Sequence, residues 1–423
     1  MNNSRFFKGK NGENFLIPFI LITSLFFMWG VANNMTDTLL SAFKKIMSMT
    51  NFQTSLIQVA FYGAYFCLAL PAAFFIKRYS YKSGVMLGLL IYAGGCFLFF
   101  PASQSMSYEF FLFAFFVAAG GCSILETSSN PYIITMGSEE TATQRLNLAQ
   151  SFNPLGSITG ILLSKFFILS HLNRAGVEER HSMDVDTLQQ IQSQELGAIS
   201  NTYVFVGFVL VIIFLIILFV RMPKNSDELP LSGNVFTRLV RNKRYIYGVL
   251  AQFFYVGAQI GVWSFTIAYV MYYKGITEAD ASAYYLGSIL LFSLFRFVFT
   301  ALMRIIKPSM LLFIAAAFAG FASLLTVVCG GIIGIISLVS ISAFMSLMFP
   351  TIYGIALYRL GDDTKIGGSG LVMAILGGAL LTAVQGKISD WGGINAGYIV
   401  PLVCFIVVGW YGIWNTLSVK KSS

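Results

Sequence analysis

Apolar residues run along this chain in long blocks, not in short amphipathic stripes. A bilayer-spanning helix needs about 20 predominantly apolar residues. Blocks of that length lie at roughly 15–42, 53–76, 84–102, 108–136, 146–170 and 201–221. A second set follows at roughly 246–273, 281–303, 309–329, 331–357, 368–388 and 396–417. Between the sets, Arg221 to Arg244 is polar, with Asn225-Ser-Asp-Glu-Leu-Pro and then the basic cluster Arg238, Arg241, Lys243 and Arg244. Six blocks, a gap and six blocks is the pattern of an internally duplicated membrane fold. The expected fold class is an all-α membrane protein of twelve transmembrane helices in two six-helix bundles. Its expected parts are an N-terminal bundle at 1–222, a cytoplasmic linker at 223–244 and a C-terminal bundle at 245–423.

Composition excludes a soluble chain. Of 423 residues, 57% are hydrophobic and 11% charged, and mean hydropathy is +0.75, where globular proteins carry about 25% charged residues. The formal charge of +9 then calls for no nucleic-acid partner, because cytoplasmic loops facing anionic lipid are enriched in Lys and Arg. With the N-terminus inside, 19 of the 27 Lys and Arg fall on the cytoplasmic side and Arg296 falls within a span. The expected protein is therefore multi-pass in the plasma (inner) membrane, with both termini cytoplasmic. The polar N-terminal residues before Phe15 precede no small-residue cleavage site, so the first block reads as a retained span. Five scattered cysteines show no metal-ligand or redox spacing, and neither a metal nor a cofactor is expected. The one long outer loop, Leu172 to Ser200, reads as a solvated decoration, with Asp186 to Glu195 as a short surface helix.

Candidate chemistry is sparse, and that makes it legible. Of 18 acidic residues, only Asp37 and Glu126 sit well inside spans. Glu126 lies in Ile124-Leu-Glu-Thr-Ser-Ser-Asn-Pro131, where an ionisable group costs roughly 2.5–3.5 kcal/mol on insertion scales and by default serves a function. Asn130 follows one turn later on the same face, and Pro131 predicts a locally irregular helix. Asp37 shares a helix face with Asn33 and Asn34. Direction of travel puts Asp37 in the outer half of span one and Glu126 nearer the middle of span four. Two carboxylates at different depths suit a proton path. The bland alternatives are an interhelical hydrogen bond for Glu126 and a polar helix end for Asp37.

Neutral amides supply the rest. Gln150 and Asn153 share a face of span five; Gln252, Tyr255, Gln259 and Trp263 form a stripe on span seven. Amides pair with hydroxyls, and an indole face covers sugar C–H groups, so the pattern suits an uncharged polyhydroxylated ligand. Taken one at a time, such amides are more often interhelical glue; together on spans one, four, five and seven they outweigh that reading. Arg296 is the lone intramembrane cation, read either as snorkelling to the interface or as a gating ion pair. Nothing here makes an enzyme: there is no nucleophile–base pair, metal cluster or phosphate loop. The residues alone reach a transporter of something polar and neutral, with an uncoupled channel-like facilitator, a sugar sensor and a drug exporter as rivals.

The chain also resembles the fucose permease branch of the major facilitator superfamily over nearly its full length. The stretches that carry the resemblance are Ser24-Leu-Phe-Phe-Met-Trp-Gly-Val-Ala-Asn-Asn-Met-Thr-Asp37, Leu125-Glu126-Thr127, Asn130-Pro131 and Arg145-Leu-Asn-Leu-Ala-Gln-Ser-Phe-Asn153. Ala251-Gln-Phe-Phe-Tyr-Val-Gly-Ala-Gln259, Trp263-Ser264, Ser342-Ala-Phe-Met-Ser346 and Pro350-Thr351 add to them. The resemblance implies proton-coupled import of L-fucose by alternating access, with Asp37 and Glu126 as the protonatable pair and a monomer as the working form. It brings Asn34, Gln150, Asn153 and Gln259 into a sugar cavity, and it places Phe349 where the fucose pattern carries tyrosine. Related glucose/galactose permeases carry glutamine at the span-four glutamate, so Glu126 favours the fucose side and Phe349 cuts the other way. Glucose or galactose is the alternative sugar that the resemblance leaves open.

Overall fold

The computed structural model describes residues 7, 14–47, 49, 51–168, 172–173, 180, 183–220, 222 and 234–420. Among them, ten helices are long and apolar enough to cross a membrane. Two more crossings complete twelve. Span one (Leu16–Ile46) is a single helix whose apolar part, Leu16–Val31, is short, and span five is built from two helices, Ala142–Gln150 and Asn153–Leu163. Spans two, three and four are Asn51–Arg78, Tyr81–Ser105 and Tyr108–Thr135. Span six is Val185–Phe219; spans seven, eight and nine are Lys243–Lys274, Glu278–Leu302 and Pro308–Val328. Span ten is Gly331–Met345 with Met348–Ala356, and span eleven is Thr364–Met373 with Gly377–Gly392. Ile394–Gly397 and Ile399–Lys420 make span twelve.

The ends of these helices follow from local chemistry. Ser80, Asn242 and Thr277 cap helix N-termini by accepting the backbone N–H of Ser83, Tyr245 and Asp280. Gly275 closes span seven at φ +62, and the adjacent Gly330 and Gly331, at φ +59 and +53, turn the chain between spans nine and ten. The proline expectation is corrected at Pro131. Span four runs through it as one helix from Tyr108 to Thr135, as spans two and three run through Pro71 and Pro101. Interior spans tolerate the freed carbonyl because neighbouring groups can satisfy it.

Two compact units emerge. One gathers Leu16–Ser129 with Phe152–Lys224; the other gathers Asn130–Ser151 with Asn225–Ser423. Within the first, span three lies along span six and span one along span five. The contact of spans one and five is backbone to backbone: a Cβ on Gly30 would stand 2.0 Å from the Asn153 carbonyl oxygen, and one on Gly156 1.9 Å from that of Phe27. An aromatic cluster, Phe43, Phe99, Phe111, Phe115 and Tyr203, fills the interior, with Phe99 stacked on Tyr203 at 3.9 Å. In the second unit, span seven packs on spans eleven and twelve, span nine on span twelve, and span eight on span ten. The same close approach recurs there, since a Cβ on Gly377 would stand 2.1 Å from the Phe253 carbonyl oxygen.

The duplication extends to the breaks. A 3₁₀ turn at Glu139–Thr141 leads into Ala142–Gln150, which breaks before Asn153–Leu163. A 3₁₀ turn at Gly361–Asp363 leads into Thr364–Met373, which breaks at Ala374–Leu376 before Gly377–Gly392.

The loop between spans five and six departs from the expected decoration. Asp186 to Glu195 is not a separate surface helix but the opening turns of span six, whose 35 residues exceed the ~20 that a bilayer requires. Arg180 and Glu195 form a fully buried ion pair at 2.6 Å, and the same carboxylate accepts the Asn173 N–H at 2.7 Å. Gln192 donates to the carbonyl of Ile46 at 2.6 Å, satisfying a terminal carbonyl of span one.

Candidate functional site

Span four is the most enclosed of the ten apolar helices. This part of the helix is polar and enclosed all round: Ser123, Glu126, Thr127, Ser128, Ser129 and Asn130 are all buried, Glu126 at 4% exposure. A carboxylate so placed sits far from bulk water, and its charge is costly unless donors reach it.

The unit that holds Glu126 also ties together polar groups from four spans. The indole N–H of Trp29 on span one donates to the Tyr65 hydroxyl on span two at 2.7 Å, and Trp29 stacks on Phe26 at 5.8 Å. Ser123 on span four donates to the Tyr65 carbonyl at 3.1 Å. Asn153 opens the second half of span five, followed by Pro154 in its first turn, and its amide donates to the Phe26 carbonyl at 3.2 Å. Asn34 is half-buried and lies one turn beyond Gly30, whose carbonyl it approaches at 3.4 Å. Asn33 and Asp37 lie on the same helix of span one, and their side chains are outside the described residues. Histidines 171 and 181 are outside them as well.

The second unit gathers its groups at two helix breaks. Span five breaks after Gln150, and span ten breaks after Met345. Gln150 donates its amide to Asn130 Oδ1 at 2.8 Å. Arg296 is 3% exposed, so it does not snorkel to an interface. Its Nε donates to the Ser346 carbonyl at 2.6 Å and its Nη1 to the Gln150 carbonyl at 2.9 Å, with the guanidinium 4.6 Å over the Phe292 ring. One cation thus holds the ends of two broken helices, where partial negative charge collects.

Span ten also receives the span-seven stripe. The Tyr255 hydroxyl donates to the Met345 carbonyl at 3.0 Å, and the Trp263 indole donates to Ser342 Oγ at 3.2 Å. Phe349 meets Tyr255 edge-on at 6.3 Å and stacks with Tyr353 at 6.2 Å. Gln259 is half-buried, whereas Gln252 on the same stripe is fully buried with neither amide atom hydrogen-bonded among the described residues. Of the stripe, Tyr255 and Trp263 are therefore committed to the fold by their polar ends, and the buried amide left without a partner is that of Gln252. Nearby, Asn147 donates to Thr351 Oγ1 at 3.2 Å and Gln144 to the Thr300 carbonyl at 3.1 Å, tying the first half of span five to spans ten and eight.

The structure thus brings Trp29, Tyr65, Glu126 and Asn153 into one unit, and Gln150, Arg296, Tyr255, Gln259, Trp263 and Phe349 into the other. Sequence reasoning passed over Tyr65, Phe292 and Trp29 as site residues. Trp29 carried a signal, standing four and eight residues before Asn33 and Asp37 on one face, and Phe292 stands one turn before Arg296. Tyr65 carried none, because an aromatic residue among apolar ones on span two has no distinguishing context. No group of three or more His, Cys, Asp or Glu that could hold a metal ion occurs among the described residues.

Comparison with known proteins adds three findings. The family model described as Major Facilitator Superfamily matches residues 19–373. The L-fucose-proton symporter of Haemophilus influenzae is 42% identical over 96% of this chain and 98% of its own, and a glucose/galactose transporter of Brucella abortus is 33% identical over 99% and 98%. Among solved structures, the FucP transporter in the outward conformation superposes with a TM-score of 0.89 at 36% identity, over 95% of this chain and 99% of that one.

Proposed function

The chain belongs to the Major Facilitator Superfamily, a family of transporters and not of enzymes, and we propose that it imports L-fucose together with a proton by alternating access. The observation that carries this reading is Glu126, a carboxylate 4% exposed within the membrane, in a chain 42% identical to a named L-fucose-proton symporter. A buried carboxylate is cheap when protonated and expensive when bare. Loading a proton therefore lowers the cost of enclosing Glu126, and rewetting releases it.

We assign proton coupling to Asp37 and Glu126. Sugar recognition falls to Asn33, Asn34, Gln150, Asn153, Tyr255, Gln259, Trp263 and Phe349, with Glu126 accepting a sugar hydroxyl as well. Amides and a carboxylate read hydroxyls, and aromatic faces cover C–H groups. Arg296 is the gating residue, through the carbonyls of Gln150 and Ser346. The two functional halves are 1–222 and 245–423, joined by 223–244.

The surplus of Lys and Arg supports a plasma-membrane protein with both termini cytoplasmic, and the working form is a monomer in the lipid bilayer. Accessibility of terminal tags in intact and opened cells tests that orientation.

A hexose reading has its own support. The Brucella abortus relative is named a glucose/galactose transporter, and Phe349 lacks a hydroxyl where the fucose pattern has tyrosine. One experiment separates the readings: uptake of labelled L-fucose, D-glucose and D-galactose by cells expressing the chain, with and without a protonophore. The expected result is L-fucose accumulation that the protonophore abolishes. Accumulation of glucose or galactose alone would replace the sugar, and protonophore-insensitive equilibration would remove the coupling.

A further inference from the structure

The polar stretch between spans six and seven carries a short helix, Val235–Arg241, to which the assignments above give no task. Its orientation is fixed. Arg238 grips Asp363, in the turn before span eleven, through two hydrogen bonds of 2.8 and 2.6 Å. Leu239 beside it is buried. Asn242 is extended and serves both neighbours: its N–H closes this helix on the Arg238 and Leu239 carbonyls, and its side chain caps span seven. Phe236 and Val240, one turn apart, are thereby held outward at 43% and 67% exposure.

Apolar side chains fixed in that position mark a contact surface, and their surroundings say what covers them. Ile246 and Leu250, one turn apart near the start of span seven, are exposed as well, and such a face of a spanning helix meets lipid chains. Tyr247 meets Trp410 and Trp414 of span twelve at 5.0 and 5.1 Å. Aromatic side chains gather at the headgroup level, and Tyr247 stands about 6 Å along the helix from Lys243. The helix that ends just before Lys243 therefore lies at the depth of lipid headgroups. Its charge has one sign, since no acidic residue occurs between Pro230 and Thr277. Arg238 is engaged with Asp363, and Arg244 lies over the Tyr358 ring at 5.4 Å. Arg241 and Lys243 are exposed.

We infer that this helix is a binding site for anionic lipid: Phe236 and Val240 enter the acyl boundary, and Arg241 and Lys243 hold a phosphate-bearing headgroup. Through the grip of Arg238 on Asp363, the bound lipid is tied to the start of span eleven.

The test uses the full chain with the exposed Cys67 and Cys329 replaced by serine, and with Val240→Cys carrying an environment-sensitive fluorophore. It is reconstituted in phosphatidylcholine with or without phosphatidylglycerol, and lipids with brominated chains serve as quencher. The probe is expected to emit as in an apolar medium and to be quenched, more strongly with phosphatidylglycerol. In parallel, phosphatidylglycerol binding to the purified, unlabelled chain is titrated by native mass spectrometry. Arg241→Gln with Lys243→Gln is expected to weaken that binding about 25-fold, at roughly fivefold per charge. The same pair erases the extra quenching at unchanged thermal stability. Arg304→Gln with Lys307→Gln removes equal charge from another exposed turn and leaves both readouts in place. Water-like, unquenched emission in both vesicles overturns the proposal. Parental binding after loss of Arg241 and Lys243 overturns it too, as does an equal weakening on loss of Arg304 and Lys307, which would make net charge the cause. Apolar emission that escapes the quencher and grows with the protein-to-lipid ratio would give the face to a second copy, and overturn it as well.

Discussion

Replacing Arg296 by methionine removes the cation that holds two helix ends together and keeps most of the apolar stem. The structure sets the magnitude. Two hydrogen bonds from a charged donor are lost, at 2.6 Å to Ser346 and 2.9 Å to Gln150, each worth about 1.5–3 kcal/mol. The cost of burying a guanidinium, relieved by the change, offsets part of that. A net loss of roughly 3 kcal/mol shifts the population of this conformation about a hundredfold. The gate should therefore open on the proposed cytoplasmic side.

The assay is thiol labelling of Ala149→Cys, a fully buried position on the helix that ends at Gln150, after the exposed Cys67 and Cys329 have been replaced. Arg296→Met is expected to speed labelling by at least about tenfold and to lower thermal stability. Arg296→Lys should fall between, since an ammonium cannot span both carbonyls with a planar fork. Labelling at the parental rate in Arg296→Met would refute the clasp and reduce Arg296 to a packed side chain.

Other expectations follow from the same geometry. Glu126→Gln, mimicking the protonated acid, should abolish pH-driven accumulation and preserve sugar exchange; Asp37→Asn should do the same, and concentrative uptake by either variant removes that residue from coupling. Gln259→Ala should weaken L-fucose binding by about 1–3 kcal/mol, measured by equilibrium binding; unchanged affinity would remove Gln259 from sugar recognition. Gly30→Ala should lower thermal stability by about 1–3 kcal/mol or more, because its Cβ would meet the Asn153 carbonyl at 2.0 Å; an unchanged melting temperature would contradict the packing of spans one and five.

Hydrophobic runs decided the number of spans, because a bilayer demands length and apolarity that few other environments do. Glu126 and Arg296 stood out for the same reason: a charge within a lipid-length block is rare enough to be noticed singly. What those charges do was not legible. Arg296 read equally as a snorkelling side chain or an ion-pair partner; the structure pairs it with two backbone carbonyls, and although Pro154 and Pro350 mark those carbonyls as freed, nothing local to span eight tells that Arg296 reaches them.

Proline alone did not locate the breaks. Span four runs through Pro131 as one helix, whereas spans five and ten break mid-span with Pro154 and Pro350 just beyond, each four residues after the Gln150 and Ser346 carbonyls and lacking the N–H that would bond them. Packing decides there, since a neighbouring donor can satisfy a freed carbonyl at one site and not at another. Tyr65 shows the limit most plainly. Its chemistry comes from Trp29, 36 residues away along the chain, and from Ser123, 58 residues away. Composition and periodicity are local along the chain. A hydrogen bond between spans exists only once the spans are packed, so that part of the site belonged to the tertiary structure alone.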